Sequence, residues 1–483
     1  MIILNLLITF FLLAILSFTD LENTSQLAII GIFQYIWMFY SWYSITRNLM
    51  NVYLFFLVLS FFFYLGQPIL ALLNIDISAQ MTIQSSPFSI ADINKTLLFL
   101  LAAMSLFHFG ALLSVKNYKY DLVPPVNAKI ITFVGMLLFA ISFIPALTAA
   151  YDSLKTTLTM GYSYIFYSDF ATGTGMDGGI PKFLSTFFKA SLFLLIIGNI
   201  NNKNKLRFWI LFTLFYFGIS IISGQRGGNS LFIIGLIMLY HYAIKPFTKK
   251  HAYRFIGVLV LSIIALSVIS TVRDLGIGDL NISNVIKVIL ENQDGNPLTS
   301  LIGEMGFTLI ACTTVMVYCP SLIPFNLGAS YYNSLFSLIP NLFWEINPAA
   351  NGGVDAVFKH LLFQKTGIGS SFIIEAYYNF GLYGLLLMPL LGYLMGKLYF
   401  HTIQASKSKN YLKLYICVYT SSFVLWYVRS ETITFYRNFA YYALLPVLLI
   451  ILISSMNKKL SRQNFAKHKN YVGKDDRNLK TMS

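Results

Sequence analysis

The chain has 483 residues, of which 57% are hydrophobic and only 11% are charged, and its mean hydropathy is +0.67. Average globular domains carry about 25% charged residues, so this composition excludes a soluble globular protein. The apolar stretches are continuous and helix-length rather than alternating, which excludes a β-barrel and predicts an all-α integral membrane protein. The three cysteines, Cys312, Cys319 and Cys417, have no disulfide or metal-ligand spacing and are interpreted as small apolar fillers.

Runs of about 20 apolar residues predict a polytopic chain of about twelve transmembrane helices. In chain order they lie at 2–18, 26–46, 51–73, 96–115, 130–150, 182–199, 206–223, 229–245, 254–272, 372–396, 411–428 and 433–455. The first run lacks a basic start and a small-residue cleavage site, so we interpret it as a retained helix rather than a secretory signal.

The charges of alternate loops predict the orientation. Most of the 34 basic residues fall in one set of loops and in the C-terminal tail, whereas nearly all of the 19 acidic residues fall in the other set. By the positive-inside rule the basic set is cytoplasmic, so both termini are predicted to lie inside the cell. The basic tail, residues 456–483, is interpreted as a lipid-headgroup anchor rather than a nucleic-acid site, and no nucleic-acid partner is expected.

The spans divide the chain unevenly. Nine predicted helices fill 1–272 and three fill 372–455, and a very long external loop, 273–371, lies between the ninth and tenth spans. Loops of that length are usually functional. Residues 298–318 and much of 328–344 are nearly apolar, and a single extra span would place the basic tail outside, so the loop is expected to contribute either no span or two. We favour re-entrant or interfacial helices packed on the bundle.

Charges placed where membrane insertion is costly are candidates for function. Arg226 lies in ISGQRGGNS, residues 222–230, a predicted external turn in which glycines let a bulky ligand approach the backbone. The turn precedes a helix whose free amide groups add positive potential, and an arginine beside such amides is typical of phosphate binding. The alternative is an interfacial arginine that snorkels toward water.

Three other arginines are candidates for the same role. Arg273 begins the long loop and could equally terminate a helix and pair with Asp274. Arg429 and Arg437 flank the final external turn, with Arg437 about one turn inside the last helix. Arg429 could instead pair with Glu431.

Glu375 is the leading candidate for acid–base chemistry. It is predicted at the external start of the tenth span, where Tyr378 and Asn379 share its helix face and are candidate substrate contacts. A carboxylate removed from water is a candidate general base. A structural ion pair with Arg437 or Arg226 is the alternative.

Two reserve catalytic candidates, Glu304 and His360, and two candidate substrate contacts, Tyr164 and Asp169, lie in other predicted external segments. Glu304 is a second acid in an apolar run, and His360 is the one histidine predicted outside, although an isolated loop histidine is more often solvated than catalytic. Tyr164 and Asp169 lie in the loop 151–181, whose aromatic side chains could stack on sugars or form an interfacial belt. Neither a nucleotide-binding loop nor a metal-ligand motif is present in a usable context, so no metal, cofactor or direct ATP drive is expected.

Two short motifs accompany this topology. The SGxRG turn at residues 223–227 and the ExxxNFG run at residues 375–381, together with the late external loop, resemble the Wzy-type O-antigen and capsule repeat-unit polymerases. The resemblance implies a GT-C-like lipid-dependent glycosyltransferase in the bacterial inner membrane. Such enzymes join undecaprenyl-pyrophosphate-linked oligosaccharide units into O-antigen, capsule or exopolysaccharide on the external face, with a chain-length regulator and a flippase as partners.

The resemblance also implies a mechanism, inverting and metal-independent. Arg226, with Arg273 or Arg437, would hold the pyrophosphate, and Glu375 would orient or deprotonate the acceptor.

Other functions share this setting. An O-antigen ligase performs the same chemistry on another acceptor. A flippase needs charges deep in a central pathway, and within the predicted spans these are few, with Lys189, His108 and His241 the exceptions.

Overall fold

The computed structural model describes residues 1–18, 23–75, 82–115, 126–160, 179–222, 226–247, 297–340, 343–344, 347–351, 353–354 and 369–457. Regular secondary structure in these ranges is helical, with no strand, so the predicted all-α class is confirmed there. The three cysteines are buried and unpaired, as expected for apolar fillers.

The helices follow the predicted spans closely. Within the described ranges the α-helices are α1 (Ile2–Phe18), α2 (Thr24–Thr46), α3 (Val52–Leu72), α4 (Ile90–Leu113), α5 (Ala128–Met160), α6 (Gly179–Ser185), α7 (Phe187–Gly198), α8 (Lys203–Ile222), α9 (Arg226–Leu239), α10 (Pro297–Tyr318), α11 (Ala329–Leu335), α12 (Phe372–Phe380), α13 (Met388–Lys407), α14 (Tyr411–Trp426) and α15 (Thr432–Asn438). Short π-helical turns follow α9 and α15, at Tyr240–Ile244 and Phe439–Leu444, and after the second turn the chain is α-helical again over residues 445–457.

Seven helical segments among the described residues are long and apolar enough to cross a membrane. They are Val52–Leu72, Ile90–Leu113, Ala128–Thr157, Gly179–Gly198, Leu298–Tyr318, Phe372–Lys407 and Thr432–Asn457. The chain is therefore a polytopic membrane protein. The other predicted spans coincide with shorter or less apolar helices, apart from 254–272, which lies outside the described residues. The total of about twelve spans stays a prediction.

The apolar run 298–318 forms the single 22-residue helix α10. Its re-entrant or interfacial placement stays a prediction. At about 1.5 Å per residue the helix is about 33 Å long, enough to cross a hydrocarbon core. It packs on α3 where Gly66 and Gly306 meet, since a Cβ on Gly306 would lie 2.4 Å from the backbone nitrogen of Gln67. Small residues at a crossing let two helix backbones touch.

The predicted span 372–396 is not one regular helix. Helix α12 ends at Phe380, and Gly381 takes a φ of +58°, a conformation that favours glycine. A 3₁₀ segment, Gly381–Leu387, then turns the chain back, so that a Cβ on Gly384 would lie 2.4 Å from the carbonyl oxygen of Ala376. Glu375 thus belongs to a nine-residue helix folded against the segment that leads into α13.

Helix α4 packs against α13, the helix that follows this folded-back segment. It touches α13 so closely that a Cβ on Gly392 would lie 1.8 Å from the carbonyl oxygen of Phe107. His108, fully buried on α4, ties in two more helices through both ring nitrogens. Nε2 lies 2.7 Å from Oγ of Ser41 on α2, and Nδ1 lies 2.6 Å from the hydroxyl of Tyr53 on α3. The His108 ring is therefore a structural joint between three helices.

Candidate active site

The carboxylate of Glu375 is the centre of a buried polar network. The side chain is 0% exposed, and its two oxygens accept three hydrogen bonds from two other helices. Ser330 Oγ on α11 donates to Oε1 at 3.0 Å. The backbone N–H and the hydroxyl of Thr432, the first residue of α15, donate to Oε2 at 2.8 and 2.7 Å. A buried carboxylate needs such donors, because an unsatisfied buried charge is very costly.

Asn379 lies one helical turn after Glu375 and meets the same serine. Its amide nitrogen donates to Ser330 Oγ at 2.7 Å and to the carbonyl oxygen of Glu375 at 2.7 Å. Its amide oxygen accepts from the backbone N–H of Gly328 at 2.9 Å. The predicted shared face of Glu375 and Asn379 is therefore confirmed. The amide of Asn379 is used within the protein, which makes it a positioning residue.

The segment before α11 is docked on the end of α12 by its backbone. The N–H groups of Asn326 and Leu327 donate to the carbonyl oxygens of Tyr378 and Asn379, at 2.9 and 3.0 Å. These bonds satisfy carbonyl groups that the end of a helix leaves unpaired. Tyr378 itself is 8% exposed. The docking holds Ser330 in reach of the carboxylate.

A chain of hydroxyl groups leads away from Glu375. The Tyr427 hydroxyl lies 2.5 Å from Oγ1 of Thr432. Since the Thr432 hydroxyl donates its proton to the carboxylate, Tyr427 is the donor in this pair. Glu375, Ser330 and Thr432 are buried, whereas Tyr427 is partly exposed. The pair therefore extends the polar network from the carboxylate to Tyr427, a residue that is not fully buried.

Tyr331, next to Ser330 on α11, adds another phenol to this region. Its burial, together with the nearby Glu375 carboxylate, raises the pKa of Tyr331. Tyr331 therefore stays protonated at neutral pH. It contributes a neutral hydrogen-bonding group rather than a second charge.

Two of the predicted arginines lie on the elements that hold Thr432. Arg437 is half-buried on α15, five residues and about 7–8 Å of helix rise beyond Thr432. Arg429 is half-buried in the preceding turn, with its guanidinium carbon 5.8 Å from the centre of the Phe63 ring. Positive charge thus lies on both sides of the residue that binds the carboxylate. The donors that the structure gives Glu375 are hydroxyl and amide groups, so the alternative of an ion pair with Arg437 is not found, and the same alternative with Arg226 lies outside the described side chains.

The other predicted residues are placed less fully. Arg226 is the first residue of α9, so the predicted turn does precede a helix, and the side chain itself is outside what the structure describes. Glu304 is half-buried on α10 and is not one of the residues bonded to Glu375 or Asn379. Four candidates lie outside the described residues: Arg273, His360, Tyr164 and Asp169.

Sequence reasoning missed Ser330, Thr432 and Tyr427. Serine and threonine are common in apolar helices, where they bond their own backbone, so their type alone carries little signal. The one signal in the sequence was the position of Thr432, which follows Glu431 where a helix is predicted to start. Threonine and acidic residues at such a position often cap a helix.

The arrangement combines two chemical capacities. A carboxylate at the end of a chain of two hydroxyl groups can take up a proton that is passed along that chain. Arginines one to two turns away can stabilise negative charge on a leaving group. Both capacities are present on elements that meet at Thr432.

Comparison with known proteins gives one match. A family model described as O-antigen polysaccharide polymerase Wzy matches residues 1–460, which include every residue of this network. No curated protein and no solved structure matches the chain.

Proposed function

We propose a function that proceeds from one fact: this chain belongs to the O-antigen polysaccharide polymerase Wzy family. The family is that of a glycosyltransferase-like polymerase, and the apolar helices make this member a multi-pass membrane protein. In our proposal it joins undecaprenyl-pyrophosphate-linked oligosaccharide units on the external face of the bacterial inner membrane. The match over residues 1–460 is the observation that carries this proposal.

The proposed reaction is a single displacement with inversion. An acceptor hydroxyl oxygen attacks the anomeric carbon of the donor glycan and forms the new glycosidic bond. The bond between that carbon and the pyrophosphate oxygen breaks, and its electron pair leaves with undecaprenyl pyrophosphate. The hydroxyl proton passes to the protein. The energy lies in the glycosyl-pyrophosphate bond, so no ATP is consumed.

Glu375 is the proposed proton acceptor, and it works through its hydroxyl neighbours. The carboxylate is fully buried, so a sugar hydroxyl cannot touch it directly. The hydroxyls of Tyr427 and Thr432 are already ordered as donors toward Oε2, at 2.5 and 2.7 Å along the chain. A proton taken up at Tyr427 is passed on through Thr432. Glu304 and His360 stay reserve candidates.

Arginines are proposed to hold the pyrophosphate, because a guanidinium matches phosphate oxygens in geometry and charge. Arg437 is the best placed, on the same helix as Thr432 and about 7–8 Å along it. That spacing is on the scale of one sugar residue. Arg226, at the start of α9, is the second proposed ligand, with Arg429 and Arg273 as further candidates.

The test is glycan length in a strain that lacks the gene for this chain. The strain is complemented with wild type, Glu375→Gln or the exposed-site control Lys203→Met, with membrane levels checked. We expect single repeat units in the deletion, a full ladder with wild type and with the control, and single units with Glu375→Gln. Lipid-linked units trapped on the cytoplasmic side would instead indicate a flippase, and long lipid-linked chains left unattached would indicate a ligase.

A further inference from the structure

A lysine lies inside the helix bundle, away from the Glu375 network. Lys189 is on α7, and its side chain is half-buried within a candidate span, Gly179–Gly198. Its ammonium donates to Oδ1 of Asn229 on α9 at 2.7 Å. Asn229 in turn donates to Oγ of Ser220 on α8 at 2.6 Å. Three helices therefore converge on one positive charge.

The charge of Lys189 is met by dipoles and aromatic rings. The ammonium lies 4.7 Å from the centre of the Phe232 ring and 5.9 Å from that of Phe217. Together with the Asn229 oxygen, these are the contacts that the structure gives it among the described residues. None of them is an anion. A lysine at the centre of a spanning helix costs about 2.5–3.5 kcal/mol on insertion scales, and an uncharged residue would fill the space without that cost.

The position of this charge is informative. Ser220 lies near the end of α8 and Asn229 near the start of α9, so the ammonium is held where these two consecutive helices approach each other. The sequence between the two helices contains SGQRG, and Arg226, the first residue of α9, precedes Asn229 by three residues.

Lys189 is also connected to the proposed Arg437 site. The Phe232 ring beneath the ammonium lies 5.9 Å from the ring of Tyr442, in a tilted T-shaped contact. Tyr442 lies five residues after Arg437 in the helical segment Thr432–Asn457. The aromatic pair Phe232 and Tyr442 therefore leads from Lys189 to the segment that carries Arg437.

We infer that Lys189 is a further cation of the donor site and binds a phosphate oxygen of a polyprenyl pyrophosphate. Asn229 orients the ammonium by taking one of its three N–H groups, and the other two remain to meet the ligand. This inference rests on the proposed function. The class of ligand is set by the chemistry: a divalent anion attached to an apolar chain, matched by cations within an apolar, aromatic-lined bundle.

The test compares two lipids that differ in charge alone. Purified full-length protein in nanodiscs is titrated with undecaprenyl pyrophosphate and with undecaprenol, and the apparent Kd for each is read from thermal stabilisation. The variants are Lys189→Met, which keeps the apolar stem, and Asn229→Asp, which supplies a carboxylate that neutralises the ammonium. Lys203→Met, an exposed lysine at the opposite end of α8, is the matched control.

We expect both variants to lose at least about tenfold in affinity for undecaprenyl pyrophosphate, the size of one charge-assisted contact, while undecaprenol binding is unchanged. The control should bind both lipids as wild type does. If Lys189→Met fails to fold, Asn229→Asp decides alone, since it keeps a partner for the ammonium. Pyrophosphate affinity within about threefold of wild type, or an equal loss for both lipids, overturns the inference and leaves a structural lysine.

The same titration separates this inference from the proposed function. If wild-type protein prefers undecaprenyl pyrophosphate through Lys189 but never elongates a glycan, the polymerase proposal is wrong and the binding site at Lys189 is supported. Wild-type protein that elongates glycans while Lys189→Met binds normally would keep the polymerase and remove Lys189 from its site.

Discussion

Glu375 and Thr432 are joined twice through one oxygen: Oε2 accepts the backbone N–H of Thr432 at 2.8 Å and its hydroxyl at 2.7 Å. Thr432 is the first residue of α15, and the preceding Glu431 makes no side-chain cap, since its carboxylate bonds Val354 instead. Glu375 therefore caps α15 from another helix, where negative charge is favoured by the helix dipole. The proposed base thus fixes the helix that carries Arg437.

The variant Glu375→Gln removes the negative charge of this side chain but keeps its shape. In Glu375→Gln the amide oxygen can still accept both Thr432 bonds, and the amide nitrogen can face Ser330. We expect a thermal midpoint close to that of wild type in detergent, with elongation lost by at least about a hundredfold, the usual scale for a general base.

Glu375→Ala removes the acceptor altogether. It leaves buried donors on Ser330 and Thr432 unsatisfied, at about 1–3 kcal/mol each, so the thermal midpoint should fall as well as the activity. Wild-type elongation by Glu375→Gln beside an inactive Glu375→Ala would show that Glu375 only positions α15.

Asn379 should act through position. Asn379→Leu removes its bonds to Ser330 and to the Gly328 N–H and leaves only the backbone bonds of Asn326 and Leu327, so the docking of the segment before α11 on α12 is weakened. We expect faster proteolysis and faster amide exchange at residues 326–330, with reduced elongation. Asn204→Leu, at an exposed site on α8, is the control and should leave the exchange unchanged. Unchanged exchange in Asn379→Leu would remove this role.

The contact between α3 and α10 should tolerate no side chain. In Gly306→Ala the new Cβ would lie 2.4 Å from backbone nitrogen of Gln67, so the helices must separate. Overpacking of this kind costs about 1–3 kcal/mol, seen as a lower thermal midpoint. Gly218→Ala is the matched control, because a Cβ there meets nothing within 4 Å. Equal midpoints for the two variants would contradict the close crossing.

Arg437 should matter for chemistry more than for folding. Arg437→Met removes the charge and keeps the apolar stem, so we expect elongation to fall by about ten- to a hundredfold, the loss of one or two charge-assisted contacts to phosphate. Arg207→Met, at an exposed site on α8, should elongate as wild type. Rates are measured at saturating acceptor over a range of donor concentrations. A normal rate at every donor concentration would remove Arg437 from the site.

Because arginines are proposed to neutralise the leaving group, elongation should persist in EDTA. The rate of purified enzyme in a chelator is compared with its rate in excess Mg²⁺. Loss of activity that Mg²⁺ restores would mean that a metal, rather than Arg437 and Arg226, carries this charge.

The sequence predicted what depends on local periodicity. Hydrophobic runs located the helices, and the i, i+4 spacing of Glu375 and Asn379 placed both on one face, as found. The sequence could not identify the hydrogen-bond partners of Glu375, because Ser330 and Thr432 lie 45 and 57 residues from it along the chain. A hydrophobic pattern reports that a face is apolar and says nothing of which distant segment meets it.

Two backbone features also escaped the pattern. The run 372–396 has the length of a span, but the positive φ of Gly381 and the contact of Gly384 with Ala376 fold it back. These glycines were visible in the sequence, yet a glycine that permits a turn and a glycine at a helix crossing look alike.

The most direct test of this account is elongation by purified protein in proteoliposomes, supplied only with undecaprenyl-pyrophosphate-linked repeat units. Product length and released undecaprenyl pyrophosphate are measured for wild type, Glu375→Gln and Lys203→Met. The account predicts that wild type and Lys203→Met build a ladder and release one lipid pyrophosphate per bond formed, while folded Glu375→Gln does neither. A wild-type protein that consumes no donor, or a Glu375→Gln variant that elongates at the wild-type rate, would contradict it.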